Sequence, residues 1–322
     1  MLISQPFVGF SRTPVYLDVT RSLCTCRVAG LSLSLKSAPK TRALAPPMDH
    51  EFLQKLNIDQ YPFDPHYALG LRALFGDKFQ RELTPEEITE LGSVTFCPLL
   101  FGNRSGSNLL SDSLFRAGLG FPEHGEPLNV PSVERISNRH NLKTFTDYFL
   151  FLTRQWRKHD VVGFKISIGQ LFDLTRTGLL SHFASTKLLH SVRRDRVAQA
   201  VSHYIAKASG NWSSKSGDSN QEVIPYSAED ILRFLRRGAR LQADYDLYQT
   251  IHGFDGMEIW YEDLIRHPQD QVSAVAEFLG SPADLTNLDL ESAATRSQTS
   301  ALKEEFAARF RSDLSGSGVA LS

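Results

Sequence analysis

Residues 101–110, Phe-Gly-Asn-Arg-Ser-Gly-Ser-Asn-Leu-Leu, constrain this chain more than any other stretch. An apolar run with Val94, Phe96, Cys97, Leu99 and Leu100 leads into them, and an amphipathic run with Leu109, Leu110, Leu114 and Phe115 leads away. That order predicts strand, small-residue loop and helix, the local architecture of an anion site. Gly102 and Gly106 permit a tight turn. Backbone N–H groups at the helix start then face a ligand with the positive end of the helix dipole behind them. Arg104 adds a forked cation suited to phosphate or sulfate oxygens, and Ser105 and Ser107 add hydroxyl donors. The loop looks like a phosphate loop lacking the lysine of G-x-x-x-x-G-K-[ST], which weighs against an ordinary Mg-nucleotide kinase.

Beyond the loop the pattern alternates. Residues 144–158 read as an amphipathic helix, 160–166 as a short buried strand, and Lys187–Val192 as a second strand followed by a helix. Residues 210–222 form a polar insertion, Ser227 caps a long helix with Asp230 at its fourth position, 256–261 reads as another strand, and Pro268 opens a helix through Leu279. Alternating strands and helices predict an α/β fold with a central parallel β-sheet flanked by helices. Pro98 falls inside the first strand and removes a ladder donor, which predicts an irregular or late-starting strand there.

The 322 residues suffice for one large domain with extensions. Residues 1–47, with Asp18 as their only acidic group, read as a leader or a mis-assigned start. Residues 48–92 read as a helical N-terminal extension in which Thr84 and Glu87 form a capping box, 93–312 as the main domain, and 313–322 as a flexible tail. A formal net charge of −1 gives no global field for nucleic acid or a membrane surface, so any basic site is local. No apolar run reaches the roughly 18–20 residues that span a bilayer. Three cysteines and ten histidines without ligand spacing predict no disulfide scaffold and no metal site, and a cytoplasmic setting.

Three islands in order, the 101–110 loop, Ser191-Val-Arg-Arg-Asp-Arg-Val-Ala-Gln-Ala-Val-Ser at 191–202, and Tyr261-Glu-Asp-Leu, resemble the bacterial sulfotransferases typified by trehalose 2-sulfotransferase. The resemblance covers roughly residues 93–312. It implies that Arg104, Ser105, Gly106, Ser107 and Asn108 hold the phosphosulfate of 3′-phosphoadenosine 5′-phosphosulfate (PAPS), with Asn108 standing where the family usually has Thr. Arg194 and Ser202 would grip its 3′-phosphate, and Arg193 and Arg196 add local positive charge. Arg296, in Thr-Arg-Ser-Gln-Thr, resembles a late segment that closes over the nucleotide, and Trp212 one that contacts nucleotide or acceptor. The family places a glutamate base shortly after the loop helix, and Gly-Glu-Pro-Leu-Asn offers Glu126 first, then Glu123, with His124 a third possibility. Lys165 stands at a strand end where it reaches a cleft or snorkels to the edge. Tyr261-Glu-Asp-Leu reads as structural.

The expected activity is transfer of a sulfuryl group from PAPS to a hydroxyl of a carbohydrate or glycolipid, without a metal, and with a homodimer as a possible assembly. Two rivals stand beside it. A catalytically inactive PAP- or anion-binding protein would keep the basic residues without a working base. A P-loop phosphoryl transferase would need a loop lysine and a Mg-binding acid.

Overall fold

The computed structural model describes residues 65–76, 79–123, 125–210, 224–286, 288 and 301–316. Two helices open the described chain, α1 (Pro65–Phe75) and α2 (Pro85–Leu91). The second begins with Pro85 at its first turn and the reciprocal Thr84–Glu87 cap that the sequence predicts. Then follow β1 (Thr95–Phe101), α3 (Ser107–Arg116), α4 (Val130–His140), α5 (Phe145–Trp156), β2 (Val161–Ile166) and α6 (Ile168–Arg176). After a short 3₁₀ turn come β3 (Ser185–Val192), α7 (Arg196–Ser209), α8 (Ala228–His252), β4 (Asp255–Trp260), α9 (Tyr261–Arg266), α10 (Pro268–Leu279) and α11 (Ala301–Gly316).

The four strands form one parallel sheet in the order β2-β1-β3-β4, the architecture expected from the alternating pattern. Both faces are covered, so the inner strand β1 is apolar nearly throughout instead of alternating apolar with polar, and β3 is apolar at Leu188, Leu189 and Val192. Phe96 and Leu100 of β1, Val162 and Phe164 of β2 and Leu188 of β3 point into one core with the inner faces of α1, α4, α5, α6 and α8. Cys97, Leu99, Val161 and Leu189 point the other way, into a core made with α3 and α10. A third cluster ties α7, α8 and α11 together through Val201, Ile231, Phe306 and Phe310.

The first core is aromatic. Phe96 lies 5.3 Å from Phe164 and 5.2 Å from Phe183 between ring centroids, and Phe149 stands edge-on to Phe96 at 5.7 Å. Such offset and edge-on pairs each add roughly 0.5–1.5 kcal/mol beyond the area they bury. Helices α1 and α2 sink Tyr67, Leu71, Phe75 and Leu91 into this same core. Arg81 fastens the segment between them to α5 through Asp147 (2.6 Å) and to α2 through Glu87 (2.8 Å). Hydrogen bonding by that guanidinium holds the Glu87 carboxyl down at about 2, well below the usual carboxylate value.

Pro98 sits in a central strand, yet β1 neither starts late nor breaks. Its register against β2 runs unbroken from Thr95 to Leu100. Against β3 the register covers Thr95 and Phe96 and resumes at Leu99. The missing proline N–H therefore disturbs one side of the strand alone, because successive backbone donors point to alternate neighbours.

Candidate active site at the carboxyl ends of the central strands

The chain leaves β1 at its carboxyl end through the loop 102–106 and enters α3 at Ser107. Arg104 has φ 63° and Gly106 has φ 96°, both in the left-handed region. Such a turn costs a non-glycine residue of order 1–3 kcal/mol and is characteristic of anion-binding concavities. A side chain at 106 is also excluded by space, because an added Cβ would lie 2.4 Å from the Tyr261 ring. Ser105 is buried and donates from its backbone N–H to the Gly102 carbonyl (3.1 Å) and from Oγ to Ser191 Oγ of β3 (3.2 Å). From α7, Gln199 Nε2 donates to the Asn103 carbonyl at 3.0 Å. Asn103 Nδ2 lies 3.1 Å from His203 Nε2. Burial, then Arg237, Lys207 and Arg104, push His203 down to about 4, so the neutral ring accepts that amide donor.

On one side of the loop three cations gather. Arg104 Nε donates to Ser202 Oγ at 3.0 Å, so the loop and the first turns of α7 meet as the sequence implies. Arg193, just past β3, lies over Tyr261 with its guanidinium carbon 4.9 Å from the ring centre. Its buried Nε has no hydrogen-bond partner, and Glu262 Oε1 stays 3.9 Å away. Burial and the neighbouring Arg193 lower the Arg104 pKa. Burial, followed by Arg104 and Arg193, brings Lys303 of α11 down to about 8. Like charges held together in a half-buried place raise one another's free energy, and an anion placed among them removes that penalty. The bent loop, the orphaned Arg193 Nε and the mutually repelling cations together fit a phosphate or phosphosulfate group.

Arg194 is placed differently from its expected role beside Ser202. Its guanidinium makes a two-pronged pair with Asp263 at 2.7 Å on each side and lies 5.0 Å over the Trp260 ring, half-exposed. Glu262 accepts from the backbone N–H groups of Arg194 and Asp195. The segment Tyr261-Glu262-Asp263 thus seats Gly106 and Arg193 with one residue and fixes the backbone and guanidinium of Arg194 with the next two. The sequence reading of this segment as structural missed that arrangement, because a helix start after a strand carries no mark of what its side chains hold.

On the other side of the loop the polar groups are already paired. Lys165, at the end of β2, is 3% exposed. Its Nζ donates to Asn108 Oδ1 at 2.6 Å and to Glu126 Oε1 at 2.9 Å, and lies 4.4 Å over the Phe101 ring. Asn129 Nδ2 donates to Glu126 Oε2 at 2.7 Å, and Gln170 Nε2 of α6 donates to Asn129 Oδ1 at 2.9 Å. Glu126 is thereby held against the α3 start through Asn108, whereas Glu123 stands exposed. Ser107 is buried at the first position of α3.

Glu126 opens onto a cavity of about 480 Å³ between the loop, α7 and α8, lined also by Phe101, Asn129, Gln199, His203 and Phe234. Arg296, Trp212 and His124 lie outside the described residues. Lys303 had no signal in the sequence, since a lysine on a helix two hundred residues downstream is not recognisable as a neighbour of the loop. Among the described residues no group of His, Cys, Asp and Glu side chains could hold a metal ion, and no helix is long and apolar enough to cross a membrane.

Residues 163–313 match the family model described as Stf0 sulphotransferase. The match takes in Lys165, Arg193, Ser202 and Lys303, and the 101–108 loop and Glu126 precede it. It bears out the resemblance drawn from the three islands. No curated protein sequence matches the chain. Among solved structures, the sulfotransferase domain of the Synechococcus PCC 7002 olefin synthase is similar at 20% identity over 68% of this chain and 87% of that chain, with a TM-score of 0.36. A sulfotransferase from Alicyclobacillus acidocaldarius is similar at 18% identity over 69% and 93%, with a TM-score of 0.36. Mouse sulfotransferase SULT7A1, complexed with PAP, is similar at 13% identity over 77% and 74%, with a TM-score of 0.33.

Proposed function

We propose that this sulfotransferase takes its sulfuryl group from PAPS and delivers it to a hydroxyl of a carbohydrate or glycolipid-like acceptor, with Glu126 as the base. The observation that carries this reading is the division of polar groups across one loop. Mutually repelling cations, one with a buried guanidinium nitrogen that makes no hydrogen bond, stand on one side and a carboxylate held in a ready-made network stands on the other.

PAPS supplies a sulfuryl group already bonded to a good phosphate leaving group. The loop N–H groups, Arg104 and the Ser107 hydroxyl would bind its phosphosulfate, while the buried Ser105 hydroxyl donates to Ser191 and braces the loop against β3. Ser202, Arg193 and Lys303 add the contacts that favour a second phosphate. Arg194 joins them only by leaving Asp263. Positive charge fixed beforehand at the leaving oxygens needs no reorganisation during the reaction, which is where such sites gain most. Glu126 Oε1 and Oε2 each accept one hydrogen bond and keep a lone pair for the acceptor hydroxyl, so the carboxylate can orient that group and take its proton. Lys165, bridging Glu126 and Asn108, keeps the base and the α3 start in one register and sits between the two half-sites.

A phosphoryl transferase is the poorer reading, because the loop 101–110 contains neither a lysine nor a carboxylate for Mg²⁺. A cytoplasmic setting goes with the proposal. Calorimetric titration tests the donor assignment: PAP is expected to bind with a micromolar or tighter Kd, and ATP about 10-fold or more weakly. Equal affinity for the two nucleotides, or labelled PAPS that never loses its sulfuryl group to any acceptor, sinks the assignment.

A further inference from the structure

The cavity beside Glu126 has a charge pattern that the proposed transfer does not use. Its charged lining groups are Glu126, Arg196 and Arg237. The Glu126 charge is answered by Lys165 Nζ at 2.9 Å. Among the described residues neither Arg196 nor Arg237 forms an ion pair with a carboxylate. Arg196 donates to Gln242 Oε1 at 3.3 Å. Gln242 in turn donates from Nε2 to Asp246 (3.1 Å) and Glu258 (2.9 Å), so those two acids face the amide and not the guanidinium. Arg237 faces His203, which it helps hold in the neutral form, and a neutral imidazole offers no countercharge. Among the described residues the cavity therefore carries two arginines against one acid, and Lys165 already answers that acid.

Arginine in a recess is the side chain that recognises planar or tetrahedral oxyanions with two parallel donors. The remaining walls combine the Phe101 and Phe234 rings with the amides of Asn129, Gln170 and Gln199, surfaces suited to a hydroxylated ring. We infer that the acceptor is an anion: a hydroxyl compound that also bears a phosphate, sulfate or carboxylate group, which Arg196 and Arg237 hold while Glu126 receives the proton of the hydroxyl to be sulfated. This deepens the proposed function and rests on it for the role of Glu126. The charge preference itself rests on the cavity alone. Two cations at the far group also fix the orientation of the acceptor, so the two arginines act as specificity determinants of the site.

The test uses the full chain saturated with PAP and three probes of matched ring structure: glucose 6-phosphate, glucuronate and glucose. Calorimetry is expected to show the better charged probe binding at least about 10-fold more tightly than glucose, with the phosphate and carboxylate arms telling which oxyanion is preferred. Arg237→Gln and Arg196→Gln are expected to erase that preference, and Arg237→Lys to retain most of it, while PAP affinity in Arg237→Gln stays within about 2-fold. Equal binding of the three probes, no measurable binding of either charged probe, or a preference untouched by both glutamine variants overturns the inference. So does a loss of PAP affinity in Arg237→Gln as large as the loss of probe affinity, which would assign the arginines to the nucleotide. Failure of the wild type to bind PAP strikes the proposed function instead, and the same three probes without PAP then still decide the charge preference.

Discussion

The two flanks of the 102–106 loop are built on opposite electrostatic plans. Toward α7 and α11, Arg104, Arg193 and Lys303 press on one another, and a buried guanidinium nitrogen has nothing to bond. Toward β2 and α4, Lys165, Asn108, Glu126, Asn129 and Gln170 form a chain in which every link is made. On the proposed reading the first flank is where an arriving anion relieves the repulsion among these cations. The second is set before any ligand comes and can hold a base still. A transferase needs both: one side that binds the departing group strongly, and one side whose geometry is not renegotiated at each turnover.

Replacing the base should separate the flanks most sharply. Glu126→Gln keeps the shape and the Asn129 contact but removes proton acceptance, so kcat is expected to fall about 100- to 10,000-fold. PAP affinity, set on the opposite flank, should stay within about 2-fold by calorimetry. Unchanged turnover in this variant breaks the division of labour, as does a matching loss of PAP affinity. It also tells an enzyme from an inactive binder, since only an enzyme has turnover to lose.

On the cationic flank, Arg193→Met keeps much of the packing over Tyr261 and removes the charge. PAP affinity should drop about 10- to 100-fold, the usual range for a charge-assisted contact in a half-buried site. A drop of that size in Arg194→Met with none in Arg193→Met would mean that Asp263 releases its partner on binding, and that the two arginines exchange roles.

The smallest effect is one of pH. In the free protein Lys303 titrates at about 8. A bound phosphate favours its protonated form and raises that value. Below about pH 8 the lysine is charged in both states and PAP affinity is flat; above it, binding must take up a proton, so affinity falls by up to about tenfold per pH unit. Lys303→Arg, charged throughout, should flatten the profile between pH 7 and 9. A wild-type profile already flat over that range removes Lys303 from the site.

The sequence showed the loop and its flanking strand and helix because glycine spacing and apolar runs are local signals. Thr84, Ser227 and the helix after Pro268 were legible for the same reason. The Arg104–Ser202 contact, across 98 residues, followed from the resemblance and from two islands whose chemistry matched. What escaped were side-chain directions. Arg193 and Arg194 are neighbours with identical chemistry, and Asp263 against Tyr261 decides which faces the loop. Nothing within either arginine's own segment records that choice. Lys303 escaped because its nearness to the loop arises from the α7–α11 packing of Val201 and Phe306, a contact between helices a hundred residues apart. Pro98 told half of the outcome: its lost donor, a local fact, goes with the interrupted β3 side, while the intact β2 side is settled by the neighbouring strand.

The seat that Tyr261 gives to Gly106 and Arg193 has a consequence for the order in which the molecule is made. Loop and arginines are synthesised long before the ring that holds them, and that ring follows directly on the edge strand β4. A nascent chain grown through β3 and Arg193 possesses the loop's donors and that arginine, yet lacks the ring on which they are laid. The surface that shapes the loop therefore arrives late in synthesis, with the pairing of β4 onto β3.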